Sequence, residues 1–444
     1  MRDILIVSIV AIASIMALRR PWIGIMLWTW LSVMNPHRFT WGFAYDAPLA
    51  AISVAVTLLG MLMTSERKSP FQGTPVTIFA VFTVWVTLSW FLGVDSEGDY
   101  YQWTKVMKIF FMTFIAISLL HTKHHLIAFA WVATGSLAIL GAKGGIFTIL
   151  HGGSYRVWGP PDSFIEDNNE FALALIMTIP LLHFLQMQIS SKWLRYGVSA
   201  TIFLCAASAL GSHSRGGLIA IAAMGIMFWW RSPRKGPMTL LIIVSLFALL
   251  PMMPEEWWQR MDTISEYNED ESALGRLYAW RVATEVAKHH FFGAGMSYQH
   301  SGIFQLYGNG GGPIAAHSIY FQILGNHGFG GLFLFLLIWL STFSSAAWLR
   351  TNARHIPQAV WAANLGSMVQ VSLIAYAVGG AFLSLSYFDL PYIMMVLVVM
   401  ARKWVENRSW ESEPSIPFLE YAGLRKSRSN LLVGASTHRT HPNN

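Results

Sequence analysis

The chain carries 444 residues, 54% of them hydrophobic and only 12% charged, with a net charge of +7 and a mean hydropathy of +0.45. Soluble domains carry roughly 25% charged residues, so an ordinary water-soluble enzyme is excluded, and continuous rather than alternating apolar runs exclude a transmembrane β-barrel. The single cysteine, Cys205, lies inside an apolar run, which excludes a disulfide framework or a cysteine metal site.

A bilayer core about 30 Å thick needs about 20 apolar residues per helix, and such runs recur along the chain. Two short ones come first, at about 4–18 and 22–34. The first ends in Arg19-Arg20-Pro21 and not in a small-residue cleavage site, so no cleavable signal peptide is expected. Both are short for a full crossing, and a charged pair at mid-membrane is expensive. A broken helix, a re-entrant pair and two thin spans all fit this segment. Further runs follow at about 47–64, 74–93, 104–120, 125–142, 169–187, 193–211, 214–230, 237–252, 317–349, 358–383 and 388–403. The reading is an all-α polytopic membrane protein with about 12 transmembrane helices.

Lysine and arginine in short loops set the orientation. Arg67-Lys68, Lys123, Lys192 with Arg195, Arg231 with Arg234 and Lys235, and Arg350 with Arg354 fall in alternate loops, and the tail adds Arg402, Lys403 and Arg408. These loops and the tail are assigned to the cytoplasm. The others, holding Asp95, Glu97 and Asp99, are assigned to the outside, which in a bacterium is the periplasmic face of the inner membrane.

Two outward segments, at about 143–168 and 253–316, are too long to be turns, and long loops on a rigid scaffold carry function. The domain reading is a transmembrane domain over 1–407, with its larger periplasmic loop between the helices at about 237–252 and 317–349, and a flexible basic cytoplasmic tail over 408–444. Within the larger loop Ser272 to His290 reads as a helix, with Arg276 and Trp280 on one face. A cation–π pair on a surface helix is the plainer account of those two.

Four positions fall at the same outward edge: Arg156, Arg215, Arg276 and His317. Ser214 is placed to cap the next helix, putting Arg215 in its first turn, where unpaired N–H groups favour an anion. An arginine there opposes the helix dipole, which points to an anionic partner, although an interfacial arginine reaching for water gives the same pattern. Gly216 and Gly217 leave room for a ligand against the backbone. His317 opens a long apolar helix, a position that favours the neutral imidazole a general base needs. Arg156 sits in a loop shaped by Gly152, Gly153, Gly159, Pro160 and Pro161, and Asn168 either caps the following helix or meets sugar hydroxyls.

No Walker-type loop or run of acidic metal–nucleotide ligands occurs. Asp162, Glu166, Asp167 and Glu170 form the one alternative cation cluster. Guanidinium groups neutralise a diphosphate by bidentate hydrogen bonds, so no metal or other cofactor is expected, and no nucleic-acid partner.

These pieces resemble the O-antigen ligase and O-antigen polymerase superfamily of polytopic glycosyltransferases. The resemblance rests on Ser214-Arg215-Gly216-Gly217, on Gly275-Arg276 with Trp280 and Gly293-Ala294-Gly295, and on His317-Ser318. Arg19-Arg20-Pro21-Trp22-Ile23-Gly24, Met34-Asn35-Pro36-His37-Arg38 and Phe164 to Glu170 are similar to its exosortase-associated O-glycosylation ligase branch. Phe291-Phe292 stands where many relatives have a proline before Gly-x-Gly, and Ser318 where many have asparagine.

The resemblance implies a lipid-donor, GT-C-like membrane glycosyltransferase. It would move a polysaccharide from undecaprenyl diphosphate to a sugar hydroxyl of lipid A core on the periplasmic face, without a metal and with inversion. Arg215 and Arg276 would bind the diphosphate with help from Arg156, and His317 would be the base. Asn168, Trp280 and Arg281 would position substrate. The partners would be the two lipid-linked glycans and membrane lipid. An O-antigen polymerase with the same donor is the nearest alternative. A lipid or oligosaccharide transporter is another, though charges gathered at one face argue against it. An assembly scaffold, a third, would tolerate loss of Arg215 or His317.

Overall fold

The computed structural model describes residues 1–65, 67–232, 235–255, 257–258, 271–309 and 311–413. Fifteen α-helices and no strand occur among them. In chain order these are α1 (Arg2–Arg19), α2 (Pro21–Met34), α3 (Leu49–Met63), α4 (Thr74–Phe91), α5 (Tyr100–Leu119), α6 (Lys123–Leu150), α7 (Asn168–Met187) and α8 (Lys192–Gly211). Then come α9 (Arg215–Arg231), α10 (Lys235–Leu249), α11 (Glu271–His289), α12 (Ser301–Tyr307), α13 (Ile319–Asn352), α14 (Val360–Gly379) and α15 (Asp389–Glu406).

Among the described residues six segments are long and apolar enough to cross a membrane: α4, α6, α7, α8, α13 and Pro357–Gly379, which contains α14; α2, α3 and α10 are shorter apolar helices. The chain is thus a multi-pass, all-helical protein. The expected runs at 47–64, 74–93, 169–187 and 193–211 match α3, α4, α7 and α8 closely, because each is bounded by polar or helix-breaking residues.

Helices α7 and α15 form the centre, buried along nearly their whole length. A helix apolar all round has no face to spare for water. The α6–α8 pair packs closely through small residues: a Cβ on Gly145 would lie 2.1 Å from the Leu204 carbonyl oxygen, and one on Gly144 2.3 Å from Ser208 Oγ.

The N-terminal pair resolves as two antiparallel helices. Ile6 and Val10 of α1 share a cluster with Leu27 and Leu31 near the end of α2. The turn between them is Arg20, with φ −138° and ψ 84°, so the broken-helix alternative is set aside.

One end of the bundle gathers the basic turns. Lys68 N–H donates to the Ser118 carbonyl, Gln186 Nε2 to the Arg195 carbonyl, and Arg402 Nη1 to Ser345 Oγ. The connections 92–99, 151–167, 212–214 and 380–388 lie at the other end.

Two expectations change. Helix α6 continues to Leu150, so the outward connection expected from 143 begins at His151. Within the 253–316 segment the helix expected over Ser272 to His290 is α11, and the short α12 follows it. The start of the expected flexible tail is docked: Ser409–Glu411 is a short 3₁₀ turn, and Glu413 accepts hydrogen bonds from Lys123 N–H and Trp404 Nε1. The tail from 414 onward lies outside the described residues.

Candidate active site

Arg215 enters the site as the first residue of α9. Ser214 is the N-cap, and its Oγ accepts from Gly217 N–H at 3.0 Å. This satisfies one of the orphan donors of the first turn. The two glycines serve packing, which corrects the expectation that they admit a ligand. Both are buried; a Cβ on Gly216 would lie 3.2 Å from Phe382 Cβ, and one on Gly217 3.1 Å from Ala172 Cβ.

The Arg156 loop is fastened to that same turn. His213, in the left-handed region at φ 58°, donates from Nε2 to the Gly153 carbonyl at 2.7 Å. Val157 N–H donates to the Gly211 carbonyl at 3.1 Å. Further on, Gly159 N–H donates to the Glu166 carbonyl at 2.9 Å, and a Cβ at Gly159 would collide with the Ile165 carbonyl oxygen at 1.6 Å, so only glycine fits. Arg156 itself is exposed between these anchors, on the flank of the Ser212–Arg215 turn.

Asn168 does not cap α7. Asp167 does, accepting from Asn169 N–H at 2.8 Å, because it has the extended backbone a cap requires while Asn168 is already helical. Asn168, 2% exposed, instead donates to the Ser212 carbonyl at 2.6 Å. It therefore ties α7 to the turn that presents Arg215.

His317 precedes α13 and does not open it; Ser318 is the N-cap. Its backbone is left-handed, with φ 42°, an uncommon state for a residue with a Cβ. Two hydrogen bonds brace it: Trp280 Nε1 to the Ala316 carbonyl at 2.7 Å before it, and Ile319 N–H to the Gly380 carbonyl at 2.7 Å after it. Trp280 also stacks on Phe321, with centroids 4.6 Å apart and planes 7° apart. Trp280 therefore has a structural role beside His317.

Half-buried Arg276 lies on α11 one turn before Trp280, next to Gly275, whose position faces Ile314 of the segment leading to His317. Arg281 is exposed over the Tyr278 ring at 5.7 Å.

Glu170 is the member the sequence reading left out of the site. Only 6% exposed, it accepts from Ser384 N–H at 3.1 Å, and the same oxygen stands 3.9 Å from His317 Nδ1. Its Oε2 is buried with no hydrogen-bond partner among the described residues. The signal available was spacing: Glu170 is in the first turn of an apolar run at the same edge as His317. The proposed cation cluster does not assemble. Glu166 accepts from Asp162 N–H, Asp162 pairs with Arg38 at 3.5 Å, Asp167 caps α7, and Glu170 turns to His317.

A second, buried polar group holds the loop that carries α11. Helix α13 is interrupted at Gly328, with φ 66° and ψ −173°. There His327 Nδ1 is 2.8 Å from Ser89 Oγ, and Nε2 is 2.6 Å from Tyr387 Oη. Asn326 accepts from Tyr298 N–H and donates to the Met296 carbonyl. Gly293 fits against the freed backbone; a Cβ there would be 2.4 Å from Asn326 C. Asp99 accepts from Met296 and Ser297 N–H at 2.7 and 3.1 Å, and burial raises its pKa above the ordinary 3.8. The Gly325-Asn326-His327-Gly328 stretch, polar and glycine-flanked inside an apolar run, was the sequence signal for this break.

The arrangement thus sets a histidine against a buried carboxylate at an end of the bundle that also carries Arg156, Arg215 and Arg276. Chemically, it can take a proton from a hydroxyl and neutralise an anion.

Residues 200–336 match the O-antigen ligase family, and residues 1–190 match a family of unknown function (DUF5935). No curated protein matches the chain. The first match contains Arg215, Arg276, Trp280 and His317 and supports membership of the O-antigen ligase superfamily, and with it a ligase- or polymerase-type function in general. The second contains Arg156, Asn168 and Glu170, so the site draws on both halves.

Proposed function

We propose, taking the O-antigen ligase match as the premise, that this chain transfers a polysaccharide from undecaprenyl diphosphate to a sugar hydroxyl of lipid A core at the periplasmic face of the inner membrane. The observation that carries the reading is His317 facing Glu170 beside the Ser214–Arg215 helix start.

A glycosyl diphosphate already has a good leaving group. What remains is to orient the acceptor and to stabilise the charge that grows on the departing oxygen. In this reading the acceptor hydroxyl oxygen attacks the anomeric carbon from the face opposite the diphosphate. The bond from that carbon to the diphosphate oxygen breaks, undecaprenyl diphosphate leaves, and the anomeric centre inverts. The proton passes to His317, whose imidazolium is then stabilised by the Glu170 carboxylate. The 3.9 Å separation is an ion-pair distance, and such contacts often tighten only with substrate bound. Arg215 and Arg276 hold the diphosphate, and Arg156 assists from the exposed loop. Guanidinium groups supply the neutralisation a metal would otherwise provide.

The test is a transfer assay with purified protein, prenyl-diphosphate glycan and lipid A core, run on wild type, His317→Ala and Arg215→Ala. The expected result is loss of transfer in both variants. Full activity in both would overturn the site, and elongation of the donor glycan in place of attachment to lipid A core would reassign the chain as a polymerase.

A further inference from the structure

At the basic end of the bundle, away from His317, a crevice of about 590 Å³ opens between α3, residues 67–71 and the last turns of α5. Its walls include Met61, Phe111, Phe114 and Ile115, and Arg67, Lys68 and Ser69 stand at its rim. Helix α3 packs chiefly on α1 and α2, so its flank toward α5 stays open, and Leu62 and Met63 are exposed beside it, at 72% and 77%.

The rim is held in place. Lys68 N–H donates to the Ser118 carbonyl at 3.0 Å, Gln72 Nε2 to the Ser69 carbonyl at 2.8 Å, and the Phe71 ring lies 6.2 Å from that of Phe114. Both cations are exposed, and no described carboxylate pairs with either.

Two cations with no partner among the described residues, and a hydroxyl, above apolar walls are complementary to a phosphodiester with hydrocarbon below it. A free phosphate ion would use the rim and leave the walls empty. We propose that this crevice binds an anionic phospholipid, its phosphodiester between Arg67 and Lys68 and an acyl chain along Phe111 and Phe114. The lipid closes the gap between α3 and α5. The inference is independent of the transferase reading.

Native mass spectrometry of the purified full chain in detergent tests it, with phosphatidylglycerol or phosphatidylcholine added. Phosphatidylglycerol should bind about tenfold or more tightly than phosphatidylcholine, and the double variant Arg67→Gln/Lys68→Gln should lose that preference. Phe111→Trp, which narrows the crevice at a partly exposed position without touching a charge, should weaken phosphatidylglycerol binding as a second check. Equal binding of the two lipids by wild type, or a preference unchanged in both variants, overturns the proposal. Displacement of the lipid by inorganic phosphate overturns it in favour of a simple anion site.

Discussion

Glu170 Oε1 stands 3.9 Å from His317 Nδ1, and each belongs to a different matched stretch of the chain. The carboxylate arrives on the first turn of α7 and the imidazole just before α13, so only the packing of α7 and α14 with the 380–384 connection brings them together. Ser384 N–H holds the carboxylate from one side, and the Ile319–Gly380 hydrogen bond holds the histidine from the other.

If that pair moves the proton, His317→Ala should lower kcat by about 10²–10⁴-fold. Glu170→Gln, which keeps shape and removes charge, should lower kcat by less and leave the donor KM nearly unchanged. Steady-state kinetics on both variants checks this. A Glu170→Gln enzyme with wild-type kcat would remove the carboxylate from the mechanism.

Loss of one well-placed cation should cost about 10²–10³-fold in rate. Arg215→Ala and Arg276→Ala are expected in that range, and Arg156→Ala, on an exposed loop, below it. Lysine at 215 should recover only part of the activity, because an ammonium cannot make the two parallel bonds of a guanidinium. Initial rates across the series, with protein yield as a folding control, decide the ranking; equal loss from Arg156→Ala and Arg215→Ala would reverse it.

With arginines neutralising the diphosphate, a chelator should leave the transfer rate unchanged. Activity lost in chelator and restored by a divalent ion would end the metal-independent proposal. The readout is the rate of glycan transfer before and after dialysis against chelator.

Asp99 is 4% exposed, and burial raises its pKa from the ordinary 3.8, so the folded chain holds this proton more tightly than the unfolded one. By linkage its contribution to stability falls as pH rises from that ordinary value through the raised one, and is flat above it. Asp99→Asn keeps an oxygen to accept from Met296 and Ser297 N–H and removes the titration. Its melting temperature should vary less with pH over that interval than that of wild type. Parallel curves for the two proteins would show that Asp99 does not control this slope.

The α6–α8 contact should tolerate no side chain at Gly145, where a Cβ would meet the Leu204 backbone. Overpacking of this kind destabilises by about 1–3 kcal/mol. Gly145→Val should therefore unfold at lower temperature and yield less folded protein. Gly135→Val on the same helix, at a position with open space around it, should be close to neutral in size terms. Equal melting temperatures for the two variants would contradict the packing argument.

Much of this could be read along the chain. Apolar run length located most of the helices to within a few residues, the end of α6 excepted, and Ser214 was legible as a cap because its partner, Gly217, is three residues away. Charge pattern sorted the basic turns from the others. Each of these depends on neighbours in sequence, where periodicity, propensity and capping operate.

What sequence alone left undecided depends on distant neighbours. Spacing puts Glu170 at the same edge as His317 but does not show that the two face each other, nor that Asn168 is committed to Ser212, nor that Gly216 and Gly217 pack against Phe382 and Ala172. The stretch from Gly325 to Gly328 signals a break but not its partners: its polar groups are satisfied by Ser89 and Tyr387, about 240 and 60 residues away. The sequence by itself determined where the chain is helical and apolar, since those are local properties of a backbone in a low-dielectric medium. Which polar groups share a site was decided only by tertiary packing, because burial obliges each of them to find a partner wherever the fold supplies one.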